Sequence, residues 1–154
     1  MVQLTAQQID EYLAVHIPYR LRILVALPRA ARKHLTSDQA VFDACFIASL
    51  VTARVLLNVV GIGKDQKTGL CSYIPRGTDV VATHLGGTMV DVASLPQAQK
   101  DLLLSFLKMA DQSAAHFTAP ANHDWSVIYD VIKRVEELVK VHVYDAAGRR
   151  MPRY

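Results

Sequence analysis

TSDQAVFDACFIASLVTARVLLNVVG, from Thr36 to Gly61, is the stretch whose periodicity decides the fold. Val41, Ala44, Cys45, Ala48, Val51, Val55 and Val59 recur at intervals of three or four residues, the spacing that lines up one face of an α-helix. Thr36 and Gln39 stand at capping-box spacing before the run, and Gly61 can stop it by taking a left-handed conformation. The pattern predicts one helix of about six turns.

The same grammar repeats on either side. Thr5 and Gln8 have capping-box spacing, and Ile9, Leu13 and His16 follow at helical intervals until Pro18, which closes or kinks the segment. An apolar continuation from Tyr19 to Leu27 runs to Pro28. Ser94 and Gln97 repeat the start signal with Pro96 in the first turn, and Leu103, Phe106, Ala110, Ala114 and Phe117 form the stripe that Pro120 ends. Asp124 can cap a last helix in which Trp125, Ile128, Val131, Ile132, Val135, Leu138, Val139 and His142 make a broad apolar face before Gly148. Stripes this wide need several neighbours, so the fold class expected is all-α: an antiparallel up-down bundle of four to five helices.

Between Gly61 and Ser94 lies a glycine-rich connection of about thirty residues, long for a compact domain unless it carries short elements or a function. It joins the two helical hairpins and is expected to be irregular, apart from one short helix near Thr78 to Leu85 starting at Thr78 or Asp79.

The chain has 154 residues, 51% hydrophobic and 20% charged, which fits one domain, residues 1–154, with one core. Within it we read an N-terminal helical segment (1–35), a bundle core (36–144) and a basic tail (145–154) holding Arg149, Arg150 and Arg153. Cys45 and Cys71 have no metal-ligand spacing and are expected to stay reduced, as in a cytoplasmic protein. No charged leader precedes an apolar run, and the longest uninterrupted apolar runs fall short of the ~20 residues of a membrane span, so no membrane partner is expected.

The net charge of +3 is mild. Positive charge gathers at Arg20, Arg22, Arg29, Arg32, Lys33 and His34, however, and Arg29, Arg32, Lys33 and His34 are the candidate contacts for nucleic-acid phosphates, against the alternative of a solvated helical face. Arg29 and His34, with four residues between them, could also grip a phosphate and move a proton. Gly61-Ile62-Gly63-Lys64 is not a phosphate loop: Asn58 holds the place of its first glycine, Asp65 follows the lysine, and a helix precedes it. His116, His123 and Asp124 match no zinc spacing, and His16 and His142 lie on apolar stripes as core or boundary residues. Asp101, Asp111, Asp130, Glu136 and Glu137 are spaced like solvated helix faces, and no nucleophile motif is present. Neither a metal nor a small-molecule cofactor is expected.

Three stretches together carry a family likeness. Ser49-Leu50-Val51-Thr52-Ala53-Arg54-Val55-Leu56-Leu57 resembles a motif in which an arginine precedes an apolar pair in HEPN-like bacterial proteins, relatives of the AbiV phage-resistance type. Gly77 to Leu85 is similar to their short intervening helix. Ala110-Asp111-Gln112-Ser113-Ala114-Ala115-His116-Phe117-Thr118 is similar to their Ala-His-Leu-Thr helix end, and Trp125 with Ile128 falls where a Trp opens their final helix. The likeness spans Ala40 to Tyr144.

The resemblance implies a HEPN-like bundle, a homodimer, and a setting in phage defence, toxin–antitoxin pairing or RNA processing. Active members are metal-independent ribonucleases with four to six residues between an arginine and the histidine that follows it. That histidine falls on His116, but the arginine positions hold Met109, Ala110 and Asp111, and an acid repels the scissile phosphate. The expectation is therefore a non-catalytic binding protein whose partner is a protein or RNA. Its rival is a divergent ribonuclease with His116 as acid/base and an arginine from Arg54, Arg134 or a second subunit. A third option puts the site at Arg29 and His34.

Overall fold

A computed structural model describes residues 2–32, 38–115 and 125–154. The chain is mostly helical, a helical bundle with one small two-stranded sheet in its long connection.

Helix α1 (Ala6–Glu11) begins as its sequence demands: the Thr5 side chain accepts from the Gln8 N–H and the Gln8 side chain accepts from the Thr5 N–H. The helix then widens into a π-turn over Tyr12–His16 and continues as α2 (Ile17–Leu24). Pro18 explains the widening. A proline in a regular helix collides with the carbonyl four residues back, and a π-bulge relieves that collision. The helix expected to close or kink at Pro18 thus does not close there but continues through it.

The break comes later, at Val25, whose ψ of 9° leaves the helical range. Helix α3 (Ala26–Arg32) starts immediately and holds Pro28 in its first turn, where a missing N–H costs nothing, so Pro28 sits inside a helix rather than ending one. Buried Ser49 serves the break from the facing helix: its Oγ accepts from the Leu27 N–H at 3.3 Å and donates to the Ile23 carbonyl at 3.4 Å. Each is a terminal group that a helix interior would have satisfied.

Helix α4 (Gln39–Val59) is the axis of the fold, packing against α2, α3, α5 and α6. Its cap is Asp38, whose carboxylate accepts from the Ala40 and Val41 N–H groups; Thr36 lies outside the described residues. Gly61 ends it with φ +91°, as its position foretold. α4 is also the one described helix long and apolar enough to cross a membrane, a length the count of uninterrupted runs had missed because Asp43 and Arg54 interrupt it. An axial helix with neighbours on several sides reaches the same composition.

The connection is more ordered than expected. Strand β1 (Ile62–Asp65) pairs antiparallel with β2 (Gly69–Ser72), with Lys64 opposite Leu70. Asp65 makes the turn by accepting from the Lys67 and Thr68 N–H groups, and Gly69 takes φ +83°. The short helix expected over Thr78 to Leu85 shrinks to a 3₁₀ turn at Ala82–Leu85, ended by left-handed Gly86; a second such turn, Val92–Ser94, is capped by Asp91. Its Ser94 Oγ donates to the Asp91 carbonyl and so is turned away from α5 (Gln97–Ala115).

Helix α6 (Trp125–Val139) buries Ile128, Val131, Ile132, Val135, Leu138 and Val139, the expected face, against Leu56, Leu57, Leu103 and Phe106 of the common core. It too widens, over Lys140–Asp145. The tail returns to the body: Arg149 pairs with Asp10, and Met151 and Tyr154 pack against the core.

Candidate functional site

The two π-turns meet. In a π-turn each N–H reaches five residues back, so the Ile17 N–H goes to the Tyr12 carbonyl. The next carbonyl, Leu13, would then need the N–H of Pro18, which has none. Tyr144, in the second π-turn and 1% exposed, fills the vacancy: its hydroxyl donates to the Leu13 oxygen at 2.8 Å. Burial pushes the Tyr144 phenol far above its ordinary pKa, so it stays a donor. The second π-turn frees a carbonyl as well, and the His142 oxygen accepts from the Thr88 N–H at 2.8 Å.

This arrangement turns one face of the first helix into the wall of a groove of about 310 Å³ between α2, α4 and the loop after β2. Tyr12, His16 and Arg20 line one side, Asn58 and Val59 of α4 the floor, and Tyr73, Asp79 and Val80 the other side. His16, expected as a core or boundary residue, is half-exposed here; its ring lies 4.9 Å from that of Tyr12 and its Nε2 is 3.5 Å from Glu11 Oε1. Across the groove, Asp79 Oδ2 accepts from the Tyr73 hydroxyl at 2.5 Å and from the Arg76 N–H at 2.7 Å. Those bonds hold the Asp79 carboxyl below its usual pKa and raise that of Tyr73. Among the described residues Arg20 has no ion-pair or hydrogen-bond partner. The groove therefore offers a free guanidinium, a fixed carboxylate, aromatic faces and an apolar floor.

A second cluster lies where α4, β1 and α5 converge. Asp111, read as a solvated acid, is instead clasped by Arg54 and Lys64, and its side chain is only about one-third exposed. Arg54 is thus a structural partner of the acid that stands in the arginine's place in the family pattern. Arg134 is held elsewhere, by Gln99 and Glu137.

Arg29 donates to the Tyr154 main-chain oxygen at 2.9 Å and lines a wider groove of about 640 Å³ with Lys133, Glu136 and Arg153. Tyr154 donates to Glu136 in the same place, so the basic tail is folded back on the bundle. Arg32 ends α3, while Lys33, His34 and His116 lie outside the described residues, as do His123 and Asp124. The structure therefore does not bring Arg29 and Arg54 together in one site. Among the described residues no cluster of three or more metal-ligating side chains occurs.

A third feature is a surface. Along α4, Val41, Ile47 and Val51 are 40–50% exposed, and Ala40 and Ala44 complete the stripe. The sequence pattern marked several of these as core, because an apolar stripe reads the same whether a neighbour covers it or not.

Sequence reasoning missed Tyr12, Arg20, Tyr73 and Asp79 as groove residues. The one signal available was the i,i+4 spacing of His16 and Arg20 around Pro18, which puts both on one helix face. These features define a class by architecture, a helical bundle with a hairpin in its long connection. Comparison with family models, with curated proteins and with solved structures found no match to this chain.

Proposed function

We propose that this chain is a HEPN-like helical binding protein, non-catalytic and cytoplasmic, that pairs with a second copy and serves a phage-defence or toxin–antitoxin setting by engaging a protein or RNA. The observation that carries the binding reading is the exposed apolar stripe of α4, Ala40, Val41, Ala44, Ile47 and Val51. It runs about 17 Å at 1.5 Å per residue. An apolar helix face of that length lowers its free energy by burial against another apolar face, and a stripe of alanine and β-branched residues allows close approach of two helices.

The fate of Arg54 supports the non-catalytic part. A divergent ribonuclease built on His116 would draw on Arg54 for phosphate charge, yet Arg54 shares the Asp111 carboxylate with Lys64. The neighbouring carboxylate offsets part of the positive charge that Arg54 could offer a phosphate.

The deciding experiment is sedimentation equilibrium of the full chain at micromolar concentration, beside Ile47→Asp and Val51→Asp. A wild-type dimer that both variants convert to monomer is the expected outcome; a wild-type monomer overturns the pairing. RNA cleavage by the same preparation in EDTA, abolished by His116→Ala, would replace the non-catalytic reading with the ribonuclease.

A further inference from the structure

We infer that the groove between α2, α4 and the Tyr73–Val80 loop is a binding site for a small zwitterion of dipeptide size, its carboxylate at Arg20 and its ammonium at Asp79. This site is separate from the α4 stripe and does not depend on the pairing of two chains.

Four observations lead there. Arg20 is exposed and, among the described residues, has no polar partner, and it can hold a carboxylate through two N–H groups. Opposite it, Asp79 is anchored through Oδ2 alone by Tyr73 and Arg76, which leaves Oδ1 to accept from a ligand. Its lowered pKa keeps it ionised, and a fixed negative charge in so small a space disfavours a doubly charged phosphate and favours a ligand with a cation of its own. Ile17, Val55, Val59 and Val80 add apolar surface to the same groove and Tyr12 an aromatic wall. The volume, about 310 Å³, lies at the small end of ligand sites and suits two apolar residues rather than a longer peptide.

The fourth observation is the cost of the wall itself. A proline in mid-helix and a π-turn are both unfavourable, and π-turns gather at functional sites. His16 ends the π-turn and Arg20 lies one turn further on, both lining the groove, and the Tyr144 hydroxyl stabilises the π-turn through the Leu13 carbonyl. Tyr144 touches nothing in the groove and so acts as a positioning residue.

Isothermal titration of the full chain with Leu-Leu, N-acetyl-Leu-Leu and Leu-Leu-amide tests the site. Binding of Leu-Leu, weakened at least tenfold by capping either end, is expected. In Arg20→Gln, Leu-Leu and its amide should bind equally weakly; in Asp79→Asn, Leu-Leu and its N-acetyl form should do so. These pairings identify which residue meets which end, and a variant that merely misfolds would lose all three ligands together. Tyr144→Phe, checked for folding by circular dichroism, should weaken Leu-Leu while preserving both capping penalties. Absence of Leu-Leu binding at 10 mM, on the order of the weakest measurable affinity, overturns the proposal. So does affinity unchanged by capping, or tighter binding of the N-acetyl form, which would mark a plain anion site.

Discussion

Gly87 shows how a single residue can carry a contact between distant parts of the chain. A Cβ there would land on the His142 carbonyl oxygen and lie 3.2 Å from that of Ala82, both main-chain atoms that cannot swing aside. Gly87→Ala should therefore cost about 3 kcal/mol, the upper range for overpacking, and lower the melting temperature by about 6–12 °C for a chain of this size. Gly61→Ala is a different case, because its Cβ would meet the flexible end of Met89 at 2.8 Å and the main strain is the φ of +91°; about 1–3 kcal/mol is expected there. Tyr144→Phe removes one oxygen and leaves the Leu13 carbonyl buried without a donor, a loss of about 1–3 kcal/mol measurable by urea denaturation. None of these costs is visible in the identity of the residue alone. The atom met lies more than fifty positions away for both Gly87 and Tyr144.

At the scale of elements, capping and breaking were legible where the signals are local. Thr5 with Gln8, and Gly61, act as their chemistry requires. At the start of α4 the described cap is Asp38, which lies two and three residues before the N–H groups it accepts from, while Thr36 of the expected capping box lies outside the described residues. Pro18 and Pro28 are accommodated in one way: Pro18 follows a π-turn and Pro28 lies in the first turn of a new helix, and in both places a remote hydroxyl, from Tyr144 or Ser49, takes up freed main-chain groups. Ser49→Ala should test this on α3. It leaves the Leu27 N–H and Ile23 carbonyl unpaired and should destabilise by about 1–3 kcal/mol, while Ser49→Cys, with a weak donor of similar size, should cost less. The β1–β2 hairpin escaped notice because its glycines look like loop residues, although Asp65 four positions before Gly69 is turn chemistry.

For the whole molecule, the pH response follows from His142. Burial first, then the nearby Arg134 charge, lower its pKa, against a raising contribution from Thr88, so the folded state holds the neutral ring longer than the unfolded chain does as pH falls. A depressed folded pKa gives stability that is present above about pH 6.5, the unfolded value, and is lost as pH falls toward the folded one. The melting temperature should therefore drop between pH 7 and pH 5, and His142→Gln, which can still meet Thr88 Oγ1, should flatten that part of the curve.

By itself the sequence determined the class of fold, because helical periodicity, caps and apolar stripes are properties of neighbouring residues. It also determined that a core of Leu103, Phe106, Val131 and Val135 would form, since these positions have no other way to leave water. The tertiary structure alone decided which stripe stays exposed, that Arg54 would face Asp111, and that His16 and Arg20 would open onto a groove with Asp79. Those outcomes depend on contacts between residues far apart in the chain. An apolar face or a charged side chain carries no mark, in its own neighbourhood, of what will be placed against it.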